Sequence, residues 1–109
     1  MIGNIKVAST NACALIDPRA THSFISSKFV RMANIMPTPL DYKLCVSIPN
    51  GSVIMVSLMC PSCNICIKDH DLVFDLMVLE MRDFDIILRM DWLASYHAMM
   101  DCFVKKEIF

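Results

Sequence analysis

The sequence predicts a small all-β domain, a closed or partly closed barrel with two brief helices. Three observations lead to this fold class. The 109 residues are enough for one modest core, and 56% of them are apolar. Most of these apolar residues fall into short segments with strand periodicity. Turn-forming residues separate the segments at regular intervals, as is typical of small barrels.

The first third of the chain predicts two strands and a helix. Residues 5–7 and 13–17 are apolar segments joined by a polar turn at 9–11. Residues 23–33 carry apolar side chains at roughly helical spacing, with Thr21 or Ser23 as the N-cap. The prolines that follow prevent the helix from continuing.

The rest of the chain predicts a hairpin and further strands. Alternating apolar residues begin at Tyr42, and Asn50-Gly51 separates them from the apolar run 53–59, which is a strong hairpin signal. The remaining predicted elements are strands at 63–67 and 72–79 around a charged turn at 68–71, a strand at 85–88, a short C-terminal helix at 90–97 and one or two closing strands at 100–109.

Composition excludes several classes of protein. The net charge is −1 and the basic residues are scattered, which argues against nucleic-acid binding. The longest apolar stretch is far shorter than the roughly 20 residues of a membrane span. Without a secretory signal, the six cysteines are expected to be reduced thiols in the cytoplasm. The high apolar share predicts a partner, either a second copy or the rest of a longer chain.

Asp17 is the first candidate functional residue, in the segment ALIDPRATHSFIS at residues 14–26. An unpaired carboxylate at the end of a buried strand costs several kcal/mol, about 2–7 for a polar group and more for a charge. Such an aspartate is therefore usually functional, capped or exposed. A turn-starting aspartate before proline is an equally simple interpretation of the motif alone.

The wider pattern resembles a known family. ALIDPRATHSFIS is similar to the apolar strand and Asp-Ser/Thr-Gly-Ala signature of retroviral-type aspartic proteases, above all the gypsy-type long-terminal-repeat retrotransposon form, Leu-Ile-Asp-Ser-Gly-Ala-Thr-His-Ser-Phe-Ile. VSIPNGS resembles the flap hairpin of that family, and VLEMRDFDIILRMDWLASYHAMMDC resembles its second signature. The resemblance runs from about residue 5 to residue 109, so residues 1–109 are expected to form one retropepsin-like domain, a module of a longer polyprotein.

The resemblance implies a single-lobe closed barrel with a flap and one short C-terminal helix. It also implies a homodimeric endopeptidase that cuts polypeptides without a cofactor. Each copy would supply Asp17, and the paired carboxylates would share a proton, one acting as general base toward water and the other as general acid. The family pattern places the active-site loop at Pro18, Arg19, Ala20 and Thr21, the flap tip at Pro49, Asn50 and Gly51, and the second signature at Ile87, Leu88 and Arg89.

Three positions depart from the family pattern. Pro18 replaces a Ser/Thr whose hydroxyl ties the two active-site loops together, and proline has neither hydroxyl nor backbone N–H. Arg19 replaces a glycine that permits a tight turn, and its cation is expected to pair with Asp17 and lower its pKa. Arg89 replaces a second glycine. These departures predict a degenerate site with impaired hydrolysis.

The segment CPSCNIC is the other candidate site. Cys60, Cys63 and Cys66 have a spacing that could serve zinc or an iron–sulfur cluster, with a fourth ligand from Cys45, His70 or Cys102. Cys63 and Cys66 point to opposite faces of a strand, which favours core packing and no metal. The acidic residues Asp83, Asp85 and Asp91 are interpreted as strand edges and a helix N-cap.

Overall fold

In the part of the chain that the structure describes, seven strands form one sheet that closes on itself. The computed structural model describes residues 2–47, 51–67 and 69–89. Within these residues the elements are β1 (Ile2–Val7), β2 (Thr10–Ile16), β3 (Ser23–Ser26), α1 (Ser27–Met32), β4 (Thr38–Ser47), β5 (Val53–Ile67), β6 (His70–Leu79) and β7 (Ile86–Leu88). Neighbouring strands follow the order β1-β2-β7-β3-β6-β5-β4, and β1 also pairs with β5. Six strands therefore form a closed barrel with β4 added at its edge, and the predicted all-β barrel is confirmed.

The first hairpin is tighter than predicted. Val7 pairs with Thr10, and the two residues between them, Ala8 and Ser9, have positive φ angles of 48° and 64°. This is the backbone of a two-residue turn that follows the right-handed twist of the strands. The prediction of a turn at 9–11 was therefore wrong, since Thr10 and Asn11 belong to β2.

The segment 23–33, predicted to be one helix, begins as a strand and continues as a shorter helix. Ser23–Ser26 form β3, which pairs in parallel with β6 and antiparallel with β7, and all four residues are buried. The N-cap is Ser26 rather than Thr21 or Ser23: its hydroxyl oxygen accepts a hydrogen bond from Phe29 N–H at 3.0 Å. Pairing on both edges outweighs the local helical pattern, because tertiary contacts override propensity.

The predicted β4–β5 hairpin is present but longer than expected. Its strands pair from Ser47 and Val53 outward, and β4 begins at Thr38 rather than at Tyr42. Pro39 is tolerated within β4 because this strand lies at the edge of the sheet. The two strands predicted at 53–59 and 63–67 are one strand, β5, with an irregular register between Cys60 and Cys63.

Two apolar clusters fill the barrel and the space under the hairpin. The first lies inside the barrel and includes Ile25, Phe29 and Leu76, none of which is exposed. The second packs the hairpin against the opposite face of β3, β6 and β7 and consists of Ala20, Phe24, Val46, Val56, Met77, Leu79 and Ile87. The second cluster fixes the hairpin relative to the loop that follows β2.

The predicted C-terminal helix at 90–97 and the closing strands at 100–109 lie outside the described residues. In the part of the chain that the structure describes, no helix is long and apolar enough to cross a membrane.

Candidate active site

Asp17 lies at the end of β2, where the sheet ladder continues for one more hydrogen bond. Ile16 pairs with Leu88 in the parallel β2–β7 register, and the Asp17 N–H then donates to the Leu88 carbonyl oxygen at 3.0 Å. The residue is 5% exposed. The sheet therefore holds the Asp17 backbone, and the burial of its carboxylate requires compensating hydrogen bonds.

The loop after Asp17 is a tight turn that accommodates both Pro18 and Arg19. The Ala20 N–H donates to the Asp17 carbonyl oxygen at 3.3 Å, and the Arg19 N–H donates to Asp17 Oδ1 at 2.9 Å. An aspartate that accepts from the residue two positions on is a common turn device, and proline suits the second position of such a turn. Arg19 is not among the residues with positive φ. The turn thus does not require glycine at position 19.

The Arg19 side chain also contacts the carboxylate. Its Nε lies 3.3 Å from Asp17 Oδ1, while the side chain remains 88% exposed. The pKa of Asp17 is lowered, chiefly by the hydrogen bond from the Arg19 backbone N–H. Burial opposes this effect, and the hydrogen bond and positive charge of the Arg19 side chain add smaller lowering contributions. The net result is a carboxylate held in its ionised form.

Ala20 and Thr21 connect the loop after Asp17 to the β4–β5 hairpin. Ala20 is 4% exposed and packs in the second apolar cluster. The Thr21 hydroxyl donates to the Ser47 carbonyl oxygen at 3.3 Å, at the end of β4. Gly51, at the other side of the hairpin tip, has a φ of +91°, which glycine adopts at little cost. Pro49 and Asn50 of the predicted flap tip lie outside the described residues.

The second signature lies directly behind Asp17. Ile87 and Leu88 are buried in β7, at 5% and 0% exposure, whereas the Arg89 side chain is exposed. The Arg89 backbone N–H donates to the hydroxyl oxygen of Ser23 at 2.9 Å, and Ser23 is itself buried. The contact of Ser23 with Arg89 was not predicted, since nothing in the local sequence pattern shows that β3 lies beside β7.

Asp85 has a structural role at the other end of β7. Its backbone N–H and Oδ2 bind the backbone carbonyl oxygen and N–H of Cys13, both at 2.9 Å. Its carbonyl oxygen accepts from the Ser26 N–H at 2.8 Å. Asp85 therefore ties together β2 and β3 where β7 begins, in keeping with the strand-edge interpretation.

Comparison with models of protein families matches residues 1–109 to the family described as retroviral aspartyl protease. The chain belongs to this family. The resemblance inferred from its two signature segments is confirmed, whereas the role of Asp17 as the protease aspartate stays a prediction.

Solved structures give the same fold for this retroviral aspartyl protease domain. It is similar to the retroviral protease-like domain of Ddi1 from Leishmania major, with a TM-score of 0.61 and 10% identity over 81% of this chain and 70% of that chain. It is also similar to protein Lpg0085 of unknown function from Legionella pneumophila, with a TM-score of 0.51 and 9% identity over 87% and 84% of the two chains. Comparison with curated protein sequences gave no match.

In the described residues, no group of three or more candidate metal ligands comes together. The segment with Cys60, Cys63 and Cys66 therefore forms no metal site within them. Cys60 is 3% exposed and belongs to the barrel core, and Cys63 packs against the same cluster. Burial, with a smaller effect of Cys63, raises the pKa of Cys60 to about 11. Cys102, one candidate for the fourth ligand, lies outside the described residues.

Proposed function

We propose that this chain is the aspartic endopeptidase domain of a gypsy-type retrotransposon polyprotein, with hydrolysis impaired by its own active-site loop. The observation that carries the proposal is the environment of Asp17. The carboxylate is buried at the end of β2, the loop that follows it contacts the β4–β5 hairpin through Thr21, and Arg19, two positions on, contacts Oδ1 through Nε. The first two features support a peptidase, and the third supports impairment.

The chemistry needs two copies of the chain, because the described residues supply one aspartate of the signature type. In the proposed homodimer the two Asp17 carboxylates approach each other and share one proton, since like charges at short distance cannot both ionise. The ionised carboxylate takes a proton from water, and the protonated one polarises the peptide carbonyl.

Arg19 opposes this arrangement. A cation beside Asp17 favours the ionised form, so each copy resists holding the shared proton. Pro18 adds a second defect, since it has no hydroxyl with which to tie the two loops across the dimer and no backbone N–H. We therefore infer slow turnover of a polypeptide substrate, in the cytoplasm and within a retroelement particle or its polyprotein.

A second candidate function follows from the same residues. If the two defects abolish turnover, the domain is a protease-fold remnant that serves at most as a dimerisation or structural module. The intact barrel favours this alternative, because the ladder from Ile16 to Leu88 and the Asp17 turn hold together with Pro18 and Arg19 in place.

The experiment compares the chain with two variants on an unfolded polypeptide between about pH 4 and pH 7. One variant is Asp17→Asn, and the other combines Pro18→Ser, Arg19→Gly and Arg89→Gly. The proposal expects weak pepstatin-sensitive cleavage that Asp17→Asn abolishes and the triple variant increases. Strong cleavage by the original chain contradicts impairment. A soluble dimer that never cleaves, even as the triple variant, favours the structural module.

A further inference from the structure

His22 and Thr21 link the loop after Asp17 to the end of the β4–β5 hairpin. His22 Nδ1 lies 3.1 Å from Thr21 Oγ1, and the Thr21 hydroxyl donates to the Ser47 carbonyl oxygen at 3.3 Å. The imidazole, the hydroxyl and the carbonyl group thus form one continuous chain of hydrogen bonds that ends on the hairpin backbone. We call this chain the Thr21 link.

The direction of the hydrogen bonds in the Thr21 link depends on the charge of His22. A hydroxyl has one hydrogen to donate, and a carbonyl oxygen can only accept. When Thr21 donates to Ser47, His22 Nδ1 must therefore donate to Thr21. An imidazolium donates through both nitrogens, so the charged ring allows only this arrangement. In a neutral ring Nδ1 can be the acceptor, and the Thr21 hydrogen then turns from Ser47 to His22.

Packing places the imidazole beside the hairpin. The ring centroids of His22 and Phe24 are 6.4 Å apart, and their planes are tilted by 58°, within the range of interacting aromatic pairs. Phe24 is fully buried and shares the second apolar cluster with Val46 of β4 and Val56 of β5. The packing that fixes the hairpin therefore also keeps His22 within reach of Thr21.

No ion pair involves His22 in the described ranges. Asp17 pairs with Arg19 at 3.3 Å, and Asp75 Oδ1 accepts from a backbone N–H of β5 at 2.8 Å. Protonation of His22 therefore acts through the Thr21 link and not through a salt bridge. The charged side chains on the elements around His22 are Asp17 and Arg19 in the loop, Lys43 on β4, Asp75 on β6 and Arg89 after β7.

We propose that His22 and Thr21 are positioning residues that tie the β4–β5 hairpin to the loop after Asp17 when His22 is protonated and release it when His22 is neutral. The proposal rests on the proposed function only in taking this hairpin as the flap over a substrate. Histidine side chains change charge between about pH 5 and pH 8. The stabilisation of the tied hairpin is therefore present at the acid end of this range and is lost as the pH rises through it.

The test measures hydrogen–deuterium exchange of the backbone amides in the β4–β5 hairpin by mass spectrometry, from about pH 5 to pH 8. Each rate is divided by the intrinsic exchange rate at the same pH, which gives a protection factor. In the original chain the protection factor of this hairpin is expected to fall about two- to tenfold as the pH rises, the effect of one hydrogen bond. The protection factor of the β1–β2 hairpin is the internal reference and is not expected to change.

Four variants assign this change in protection. His22→Gln cannot gain a proton, and Thr21→Val loses the hydroxyl but keeps the branched shape, so both are expected to abolish the pH dependence. Thr21→Ser keeps the hydroxyl and is expected to retain it. His70→Gln, which replaces another partly buried histidine at the start of β6, is the matched control and is also expected to retain it. A purely structural role of His22 would alter protection equally at every pH.

PH dependence that persists in His22→Gln or Thr21→Val, or that is absent from the original chain, would overturn the proposal. Its loss in His70→Gln would assign it to the other histidine and would also overturn the proposal.

The exchange is measured without substrate, so the two proposals fail separately. The expected variant pattern in a domain that no reversion makes active supports the Thr21 link and contradicts the endopeptidase. Cleavage by the triple variant, without pH dependence of the hairpin, supports the endopeptidase and contradicts the Thr21 link.

Discussion

The substitution Arg19→Gln separates the charge of Arg19 from the shape of its turn. Two groups of Arg19 contact Asp17 Oδ1, the backbone N–H at 2.9 Å and Nε at 3.3 Å. Glutamine keeps the backbone N–H and removes the cation. The backbone hydrogen bond is also the main cause of the lowered pKa of Asp17, so most of the local environment persists in the variant.

The size of the charge effect is limited by exposure. The Arg19 side chain is 88% exposed, and ion pairs of exposed side chains contribute about 0.2–1 kcal/mol after solvent screening. At most about 1 kcal/mol corresponds to about a fivefold change in rate. Arg19→Gln is therefore expected to raise kcat/KM no more than about fivefold. The variant with all three reversions is expected to gain about 100-fold or more, as for a restored general acid–base pair.

The assay is cleavage of a quenched fluorescent peptide, with kcat/KM measured for each variant at the same protein concentration. Lys6→Gln, which removes an exposed cation from β1, is the control for the change in net charge. If Arg19→Gln alone matches the triple variant, the guanidinium suppresses activity despite its exposure, and the reasoning from solvent screening is refuted.

Three further predictions concern Asp17, the start of α1 and the cysteines. The lowered pKa of Asp17 means that its ionised form stabilises the fold above about pH 4, and that this stabilisation is lost as the pH falls through the lowered pKa. Urea unfolding should therefore show Asp17→Asn less stable than the original chain at about pH 7 and equally stable in strong acid. A stability difference between the two proteins that does not change with pH would contradict this linkage between pKa and stability. Ser26→Ala removes the N-cap of α1 and is expected to lower the free energy of unfolding by about 1 kcal/mol, whereas no loss would mean that the cap is dispensable. At about pH 8 a disulfide reagent should label the exposed Cys45 quickly and the buried Cys60, with its pKa of about 11, only on unfolding. The fast labelling phase should therefore disappear in Cys45→Ser and persist in Cys60→Ala. Its disappearance in Cys60→Ala would contradict the burial argument.

The sequence predicted the structure best where the spacing of the apolar residues and the turn-forming residues indicated the same element. The alternation at Leu44 and Val46 and the later apolar run predicted the β4–β5 hairpin, and its register is observed from Ser47 and Val53. Such features are local, because the turn and the pleat are set by residues close in the chain. The family assignment likewise rested on the two signature segments, which match the family pattern in the identity of individual residues and not only in their polarity.

The errors arose where distant strands decide the local structure. Phe24 and Ile25 belong to the apolar pattern of residues 23–33, which suits a helix. They nevertheless lie in β3, because β6 and β7 offer hydrogen bonds on both of its edges. The same pairing brings Ser23 next to Arg89, 66 positions along the chain. A single sequence contains no signal for such a contact, since the partners are set by strand order and not by periodicity.

The active-site loop was expected to be damaged by Pro18 and Arg19, and the structure shows that the turn after Asp17 accommodates both residues. Both residues fit a turn that does not need positive φ at position 19. A proline or a residue with Cβ at a compatible position stabilises a fold by about 0.4–1 kcal/mol, since it restricts the unfolded chain.

Combining Pro18→Ser with Arg19→Gly is therefore expected to destabilise the domain by about 1–2 kcal/mol while it increases turnover. Urea unfolding at neutral pH measures the change, and Lys6→Gln serves again as a surface control. A gain in stability would show instead that Pro18 and Arg19 strain the turn, and would require the loop to relax when they are removed. Loss of stability with gain of activity would mean that these two residues favour the folded barrel at the expense of its carboxylate chemistry.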